Sequence, residues 1–320
     1  MTRRFVNQLG ERENIDEIYL AAEKQLRTNR NGNLYMQVRL ADKTGSMTGM
    51  LWNANDSHYN GFENGDYVRV RGTAQFYNGS LQVILAQIER VPAERITPDD
   101  FITLDESDVT QLQANLQELL RTIRNPSLRV LADAYLADSE FMAKFTSAPA
   151  GVKNHHAYRG GLLQHVVSLM RMCRLAASHY SEVDGDLLLM GALLHDSGKV
   201  DELTYERDLG YSDEGQLIGH VVQGVVMLEE KIREAERSTG DEFPTELALR
   251  LKHMIVSHHG EYEFGSPKLP MTLEAITLHY LDDLDAKLFS IGQIIREDQN
   301  SDSPWTPYFA SMGRKFFKGN

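Results

Sequence analysis

A single cysteine, Cys173, stands among 320 residues. The chain therefore cannot close a disulfide on itself, and a metal site built from several thiolates is excluded. No apolar run approaches the roughly 20 residues needed to cross a bilayer. The basic start Met-Thr-Arg-Arg-Phe passes into the polar stretch from Asn7 to Asp16, so no signal-peptide core follows it. Low-complexity segments and internal repeats are also missing. A charged fraction of 25% beside 42% hydrophobic residues is that of an ordinary globular protein, which excludes disorder as the main state. A cytoplasmic protein with no membrane attachment is the expectation.

Positive charge is short as well, with a formal net charge of −13. Over the whole chain, that balance argues against a nucleic-acid partner. Its distribution changes the reading. Residues 1–97 carry 12 Lys and Arg against 11 Asp and Glu, leaving 21 against 35 for the remainder. The acidic excess belongs to the larger C-terminal part, and the first hundred residues are nearly neutral.

What is present falls into two patterns. From Ile15 to Val91 the chain reads as strands. Leu34, Met36, Val38 and Leu40 alternate with Tyr35, Gln37 and Arg39, the period of a half-buried strand. Thr44–Trp52 follows a turn-forming run. Tyr67–Phe76 alternates again, and Asn78-Gly79 predicts a hairpin into Leu81–Ile88. Four or five short strands in this space predict a small barrel. The oligonucleotide/oligosaccharide-binding (OB) fold matches best, although other small barrels share the pattern. Residues 1–14 read as an extension, 92–108 as a linker, and 109–320 as an all-helical domain. Helices are predicted over Val109–Ile123, Pro126–Tyr135, Gly161–Tyr180, Asp186–Leu194, Leu217–Arg237, Thr245–Val256 and Met271–Glu297. The closing Trp305–Phe317 mixes aromatics with basic residues; packing on the helical domain is the first expectation, a partner surface the second.

The helical part carries the chemistry. His195-Asp196 ends an apolar helix, with Gly198 placed to stop it. His165 shares an inward face with Leu162, Val166 and Leu169. His220 opens a further helix on a face with Leu217 and Gly224, His258-His259 close another before Gly260, and Asp282 lies on a face with Leu278 and Asp285. A lone histidine on an apolar face is usually a hydrogen-bonded core residue. Burying seven ionisable groups without partners is costly, whereas a metal binds neutral imidazole and ionised carboxylate favourably. The donor mixture suits Mn, Fe, Zn, Co or Ni, and an aspartate adjoining a ligand histidine can bridge two ions. His58 and His179 fall outside the set; His253 and His279 read equally well as supporting groups or ordinary helix positions.

These residues resemble the HD-domain metal-dependent phosphohydrolases, and the added histidines resemble their dinuclear branch. The resemblance implies that His165, His195, Asp196 and Asp282 hold one ion. Asp196, His220, His258 and His259 would hold a second, with Asp282 preferred by register over Asp283 and Asp285. A small barrel ahead of Asn154-His-His-Ala-Tyr-Arg-Gly-Gly-Leu-Leu-Gln-His165 is similar to the YhaM-type 3′–5′ exoribonucleases, nearly throughout the chain. That resemblance implies hydrolysis of single-stranded RNA, with single-stranded DNA as a further substrate, to nucleoside monophosphates. It places His156 and Arg159 beside Asp196 in the catalytic machinery, with manganese the favoured ion, and Lys199, one helical turn beyond Asp196, is a further catalytic candidate as a point charge for a phosphate oxygen. Lys199 reads alternatively as a partner for Asp196.

Aromatic residues in a basic setting are the usual grip on single strands. Tyr35, Arg39, Arg69, Arg71 and Tyr77 are the candidate contacts, with Tyr35 and Arg39 preferred; Trp52 and Phe76 are expected in the barrel core. Two other readings stay open: a phosphohydrolase of small or cyclic nucleotides, and a non-catalytic nucleic-acid-binding protein. A homo-oligomer would suit a processive nuclease, though no pattern in the chain demands one.

Overall fold

The computed structural model describes residues 3–77, 80–97, 100–101, 104–152, 158–205, 210–298, 303–309 and 312–319. The chain divides into two compact units. In the first, five strands close a barrel: β1 (Asn14–Thr28), β2 (Leu34–Asp42), β3 (Gly45–Trp52), β4 (Tyr67–Tyr77) and β5 (Ser80–Val91). Their order is β1-β2-β3-β5-β4, and only the β3–β5 pair is parallel. A single turn, α1 (Asp56–Tyr59), lies between β3 and β4. Alternation sets the interior: Met36, Val38 and Leu40 are fully buried and face Val68, Val70 and Val83 in one core. A shift in the β1–β2 register between Ala22 and Gln25 marks a bulge, and Glu23 there adopts a positive φ of 51°. Such bulges bend a long strand so that a small sheet can close.

The helical unit holds α2 (Glu106–Arg121), α3 (Pro126–Ala137), α4 (Ser139–Phe145), α5 (Gly161–His179), α6 (Gly185–Leu194) and α7 (Lys199–Glu202). A two-stranded ribbon follows, β6 (Leu203–Thr204) with β7 (Gly210–Tyr211), then α8 (Asp213–Leu217), α9 (His220–Thr239), α10 (Thr245–Ser257) and, as far as Phe289, α11 (Leu273–Glu297). Side-chain caps fix several starts: Asp105 accepts from the Asp108 N–H, and Asn125 precedes Pro126 at the first helical position. Every residue from Leu187 to Leu194 of α6 is buried. A helix apolar on all sides belongs at the centre of a bundle, and α6 is packed by α5 and α10.

Several boundaries differ from the expectation. Residues 3–13 are part of the barrel rather than an extension, because Val6 and Leu9 are buried in its core and the Val6 N–H donates to Asp42. The linker's Phe101 packs its ring 4.8 Å from Tyr67. Residues 290–320 group with the barrel unit, not with the helical one. The helix expected from Leu217 begins at His220, since Gly219 with φ of +78° separates it from α8, and Leu217 is exposed. The turn residues Asn78 and Gly79 lie outside the described residues, although Tyr77 and Ser80 pair on either side of them.

Candidate metal centre

Helix ends and inward helix faces bring the predicted ligands together. His165 projects from the buried face of α5, and His195 caps the C-terminus of α6 with Asp196 after it. His220 is the first residue of α9, His258 and His259 follow the last turn of α10, and Asp282 lies in α11. Gly198 does not stop a helix by a left-handed turn as expected. Its φ is −66°, and its use is close approach: a Cβ there would lie 2.1 Å from the His220 carbonyl oxygen.

The donor atoms fall into two groups around one carboxylate. In the first, His165 Nε2 lies 3.3 Å from His195 Nε2 and 3.2 Å from Asp282 Oδ1. Asp196 Oδ2 joins them at 3.3 Å from His195 Nε2. In the second, Asp196 Oδ1 lies 3.6 Å from both His220 Nε2 and His258 Nε2. His220, His258 and His259 each offer a donor atom within 4.8 Å of the others. Asp196 therefore turns one oxygen toward each group.

Three atoms test whether a metal fits. Asp196 Oδ1, His220 Nε2 and His259 Nδ1 are buried and have no hydrogen-bond partner. Orphaned buried acceptors are costly in a protein interior, and here Asp196 Oδ1 and His220 Nε2 stand 3.6 Å apart, with His259 in the same group of donors. A divalent ion would satisfy them together.

The outer partners fix which nitrogen is free. His195 and His258 donate Nδ1–H to the carbonyls of Ala192 and Ile255, at 2.9 and 2.7 Å. The Glu202 carboxylate accepts from His220 Nδ1, and the Asp285 carboxylate from His165 Nδ1 at 2.8 Å while taking the Ser168 hydroxyl at 2.6 Å. Four rings are thus left with Nε2 facing inward, the arrangement that ligating histidines require.

Electrostatics agree with this geometry. Burial would raise the Asp196 carboxyl, yet Lys199 and the neighbouring histidines hold it well below its ordinary range. Asp282 is likewise lowered against burial, chiefly by His165 and His195. Burial and nearby histidines push His258 well below the usual imidazole value, and His259 is lowered for the same reasons. Burial opposes protonation of His165, but Asp282, Asp285 and Asp196 outweigh it and raise this ring to about 9.

Other predicted residues sort differently. Lys199 Nζ donates to Asp196 Oδ2 at 2.6 Å and to the Ala150 carbonyl at 2.7 Å, so it is the aspartate's partner. Arg159 is exposed, and His156 lies outside the described residues. Asp283 is half-buried and pairs with Lys287. On the barrel, Tyr35 and Trp52 are cross-strand neighbours with ring centroids 5.3 Å apart. Trp52 is exposed rather than in the core, because it follows inward Leu51 on β3, while Phe76 is half-buried. Arg39 shares the outward face of β2 with Tyr35 and lies 3.5 Å from Glu23. Arg69 and Arg71 stand on β4, on the other side of β1 from β2, and both pair with Asp16. Tyr77 is exposed at the end of β4.

Sequence reasoning missed Glu202 and Ser168 and took Asp285 for an alternative ligand. Nothing periodic marks Glu202; the turn after Asp196 alone brings it back to His220.

Comparison with known proteins gives a consistent picture. A family model for the HD domain matches residues 162–287, and one for an OB-fold nucleic acid binding domain matches residues 20–91. The 3′-5′ exoribonuclease YhaM of Bacillus velezensis is 32% identical over 317 residues, covering 98% of this chain and 97% of its own. Its counterpart from Bacillus subtilis is 32% identical over 315 residues with the same coverage. That of Listeria innocua is 31% identical over 282 residues, 88% of each chain.

Proposed function

The chain belongs to the YhaM family of 3′-5′ exoribonucleases, and on that premise we propose that it hydrolyses single-stranded RNA from the 3′ end at a dinuclear metal centre, releasing nucleoside monophosphates. The observation that carries the reading is Asp196, whose two oxygens face two separate groups of inward nitrogens. His165, His195, Asp196 and Asp282 would hold one ion, and Asp196, His220, His258 and His259 the other. Divalent ions bound there supply Lewis acidity, lowering the pKa of water and neutralising charge on the phosphodiester. Mixed imidazole and carboxylate donors suit manganese, and iron, cobalt, nickel and zinc fit the same set.

The chain's own residues do the rest. Asp285 and Glu202 hold the rings of His165 and His220 in the tautomer that faces inward. Lys199 fixes the bridging carboxylate and adds positive charge beside the cavity that Asp196 lines. The β2–β3 face of the barrel, with Tyr35, Trp52 and Arg39, grips the strand upstream by stacking. Stacking does not read the 2′-hydroxyl, so single-stranded DNA is a further substrate on the same terms.

The test is a time course on 5′-labelled single-stranded RNA with added manganese, comparing the wild type with Asp196→Ala. A ladder shortening from the 3′ end, absent in the variant, is expected. Intact RNA with both proteins would overturn the reading.

A further inference from the structure

The cavity at the metal centre has a volume of about 400 Å³. Its lining includes the buried candidates Asp196 and His258, the half-buried His259 and Asp282, and also two aromatic side chains, Phe264 and Tyr280. Those rings are 68% and 66% exposed, so they line the cavity without being spent on packing. We propose that Phe264 and Tyr280 form a stacking subsite for the base of the 3′-terminal nucleotide, an inference that rests on the exoribonuclease reading above.

Both residues stand on hydrogen-bonded backbone. Phe264 ends a single 3-10 turn, Tyr262–Phe264, in which its N–H donates to Glu261 and the Gly265 N–H to Tyr262. Ser266 ties the turn down by donating its hydroxyl to Lys268 and Val256 carbonyls and its N–H to Glu261. Tyr280 precedes Asp282 by two residues on α11. Its neighbour His279 donates Nδ1–H to the His258 carbonyl at 2.8 Å, joining this part of α11 to the metal cluster. Gly260 permits that junction: it has φ of +80°, and a Cβ there would lie 2.0 Å from the His279 ring.

Charge beside the cavity, from Lys199 and the metal site, meets phosphate and not a base. Lys287 lines the cavity with Glu261 and Asp283, and it is already paired with Asp283. The aromatic faces remain, and stacking on them suits any base. A volume near the low end of small-ligand sites, which run from roughly 300 to 1,000 Å³, admits a terminal nucleotide and not a duplex end.

The experiment compares two RNA oligomers, one ending in an ordinary 3′ nucleotide and one whose 3′-terminal residue is abasic. Wild type should lose roughly tenfold or more in kcat/KM on the abasic substrate. Phe264→Ala/Tyr280→Ala should show a similar loss on ordinary RNA and no further loss on the abasic one. Phe264→Trp and Tyr280→Phe should restore discrimination, which a merely destabilised loop would not. A readout without turnover uses 2-aminopurine at the terminus of a phosphorothioate-protected oligomer. Its fluorescence should be quenched on binding wild type and not on binding the double variant. Equal treatment of the two substrates by wild type, or discrimination retained by the double variant, would overturn the proposal. Wild type that quenches the probe but leaves ordinary RNA intact would remove the exoribonuclease reading and keep the stacking subsite.

Discussion

Glu202 holds His220 at two points with one oxygen: Oε1 accepts from the His220 backbone N–H at 3.0 Å and from ring Nδ1 at 2.9 Å. The carboxylate is kept ionised against its burial by those same contacts. It fixes both the start of α9 and the ring nitrogen that faces Asp196. Glu202→Ala should therefore weaken metal binding by about 10–100-fold, the usual effect of removing an outer partner. Glu202→Gln, which keeps an acceptor oxygen, should lose less. Titration of apoprotein with manganese, followed calorimetrically, measures both; unchanged affinity in the alanine variant would show that His220 does not bind metal.

The division of donors around Asp196 predicts a stoichiometry. His259→Ala removes a donor from the second group only, so metal content should fall from two ions per chain toward one. Asp196→Ala removes an oxygen from each group and should deplete both. Elemental analysis of purified variants decides between these outcomes. Equal loss in the two variants would mean that the groups act as a single site.

In the metal-free protein His165 holds a proton up to about 9 between Asp282 and Asp285. A metal at Nε2 must displace it, so apparent affinity should rise about tenfold per pH unit from 7 to 9 and then level. The same shift has a stability consequence. A histidine raised in the folded state stabilises fully below its unfolded value of about 6.5, and that contribution is lost as pH rises through 9. His258 and His259 are shifted downward, so their contributions change only below about 6.5. Metal-free protein should therefore lose thermal stability between pH 6.5 and 9, and His165→Asn should flatten that dependence.

Much of this arrangement could be read from the chain, and the failures have physical causes. The barrel was legible because Met36, Val38 and Leu40 alternate with outward residues, and the cluster of candidate donors because so many histidines fall at helix ends. Asp282 and Asp285 were harder to separate. They lie one turn apart on the same helical face, and only the two nitrogens of His165 distinguish them: Nε2 meets Asp282 and Nδ1 meets Asp285. Aromatics of so small a barrel are more often buried than exposed, but strand parity with inward Leu51 turns Trp52 to the outside. Arg69 and Arg71 looked like free cations until β1 placed Asp16 between them.

That last correction changes which barrel residues should matter for RNA. Tyr35 and Trp52 form an aromatic pair on the outward β2–β3 face, and each stacked base is worth roughly 1–3 kcal/mol. Trp52→Ala and Tyr35→Ala should each weaken binding of a single-stranded oligomer by about tenfold in anisotropy titrations. Arg69→Ala and Arg71→Ala should change it less, because both guanidinium groups are already engaged by the Asp16 carboxylate and the trio carries a single net positive charge. A large loss from the arginine variants, with none from the aromatic ones, would move the binding face to β1–β4.

Gly198 links the packing to the chemistry. A Cβ at this position would lie 2.1 Å from the His220 carbonyl oxygen and 2.8 Å from the Gly224 nitrogen, both backbone atoms that no rotamer change can move aside. Gly198→Ala must therefore push the first turn of α9 away from the loop that carries Asp196. Overpacking of this kind typically costs 1–3 kcal/mol. The displacement also separates His220 Nε2 from Asp196 Oδ1, which now stand 3.6 Å apart. The variant should unfold at lower temperature and bind metal more weakly even where it remains folded. Gly224→Ala is the control: a Cβ there meets its nearest neighbour at 3.5 Å, ordinary contact, so α9 can stay where it is. Loss of metal in Gly198→Ala alone, measured on folded protein, would tie the close approach of these two segments to the assembly of the second donor group.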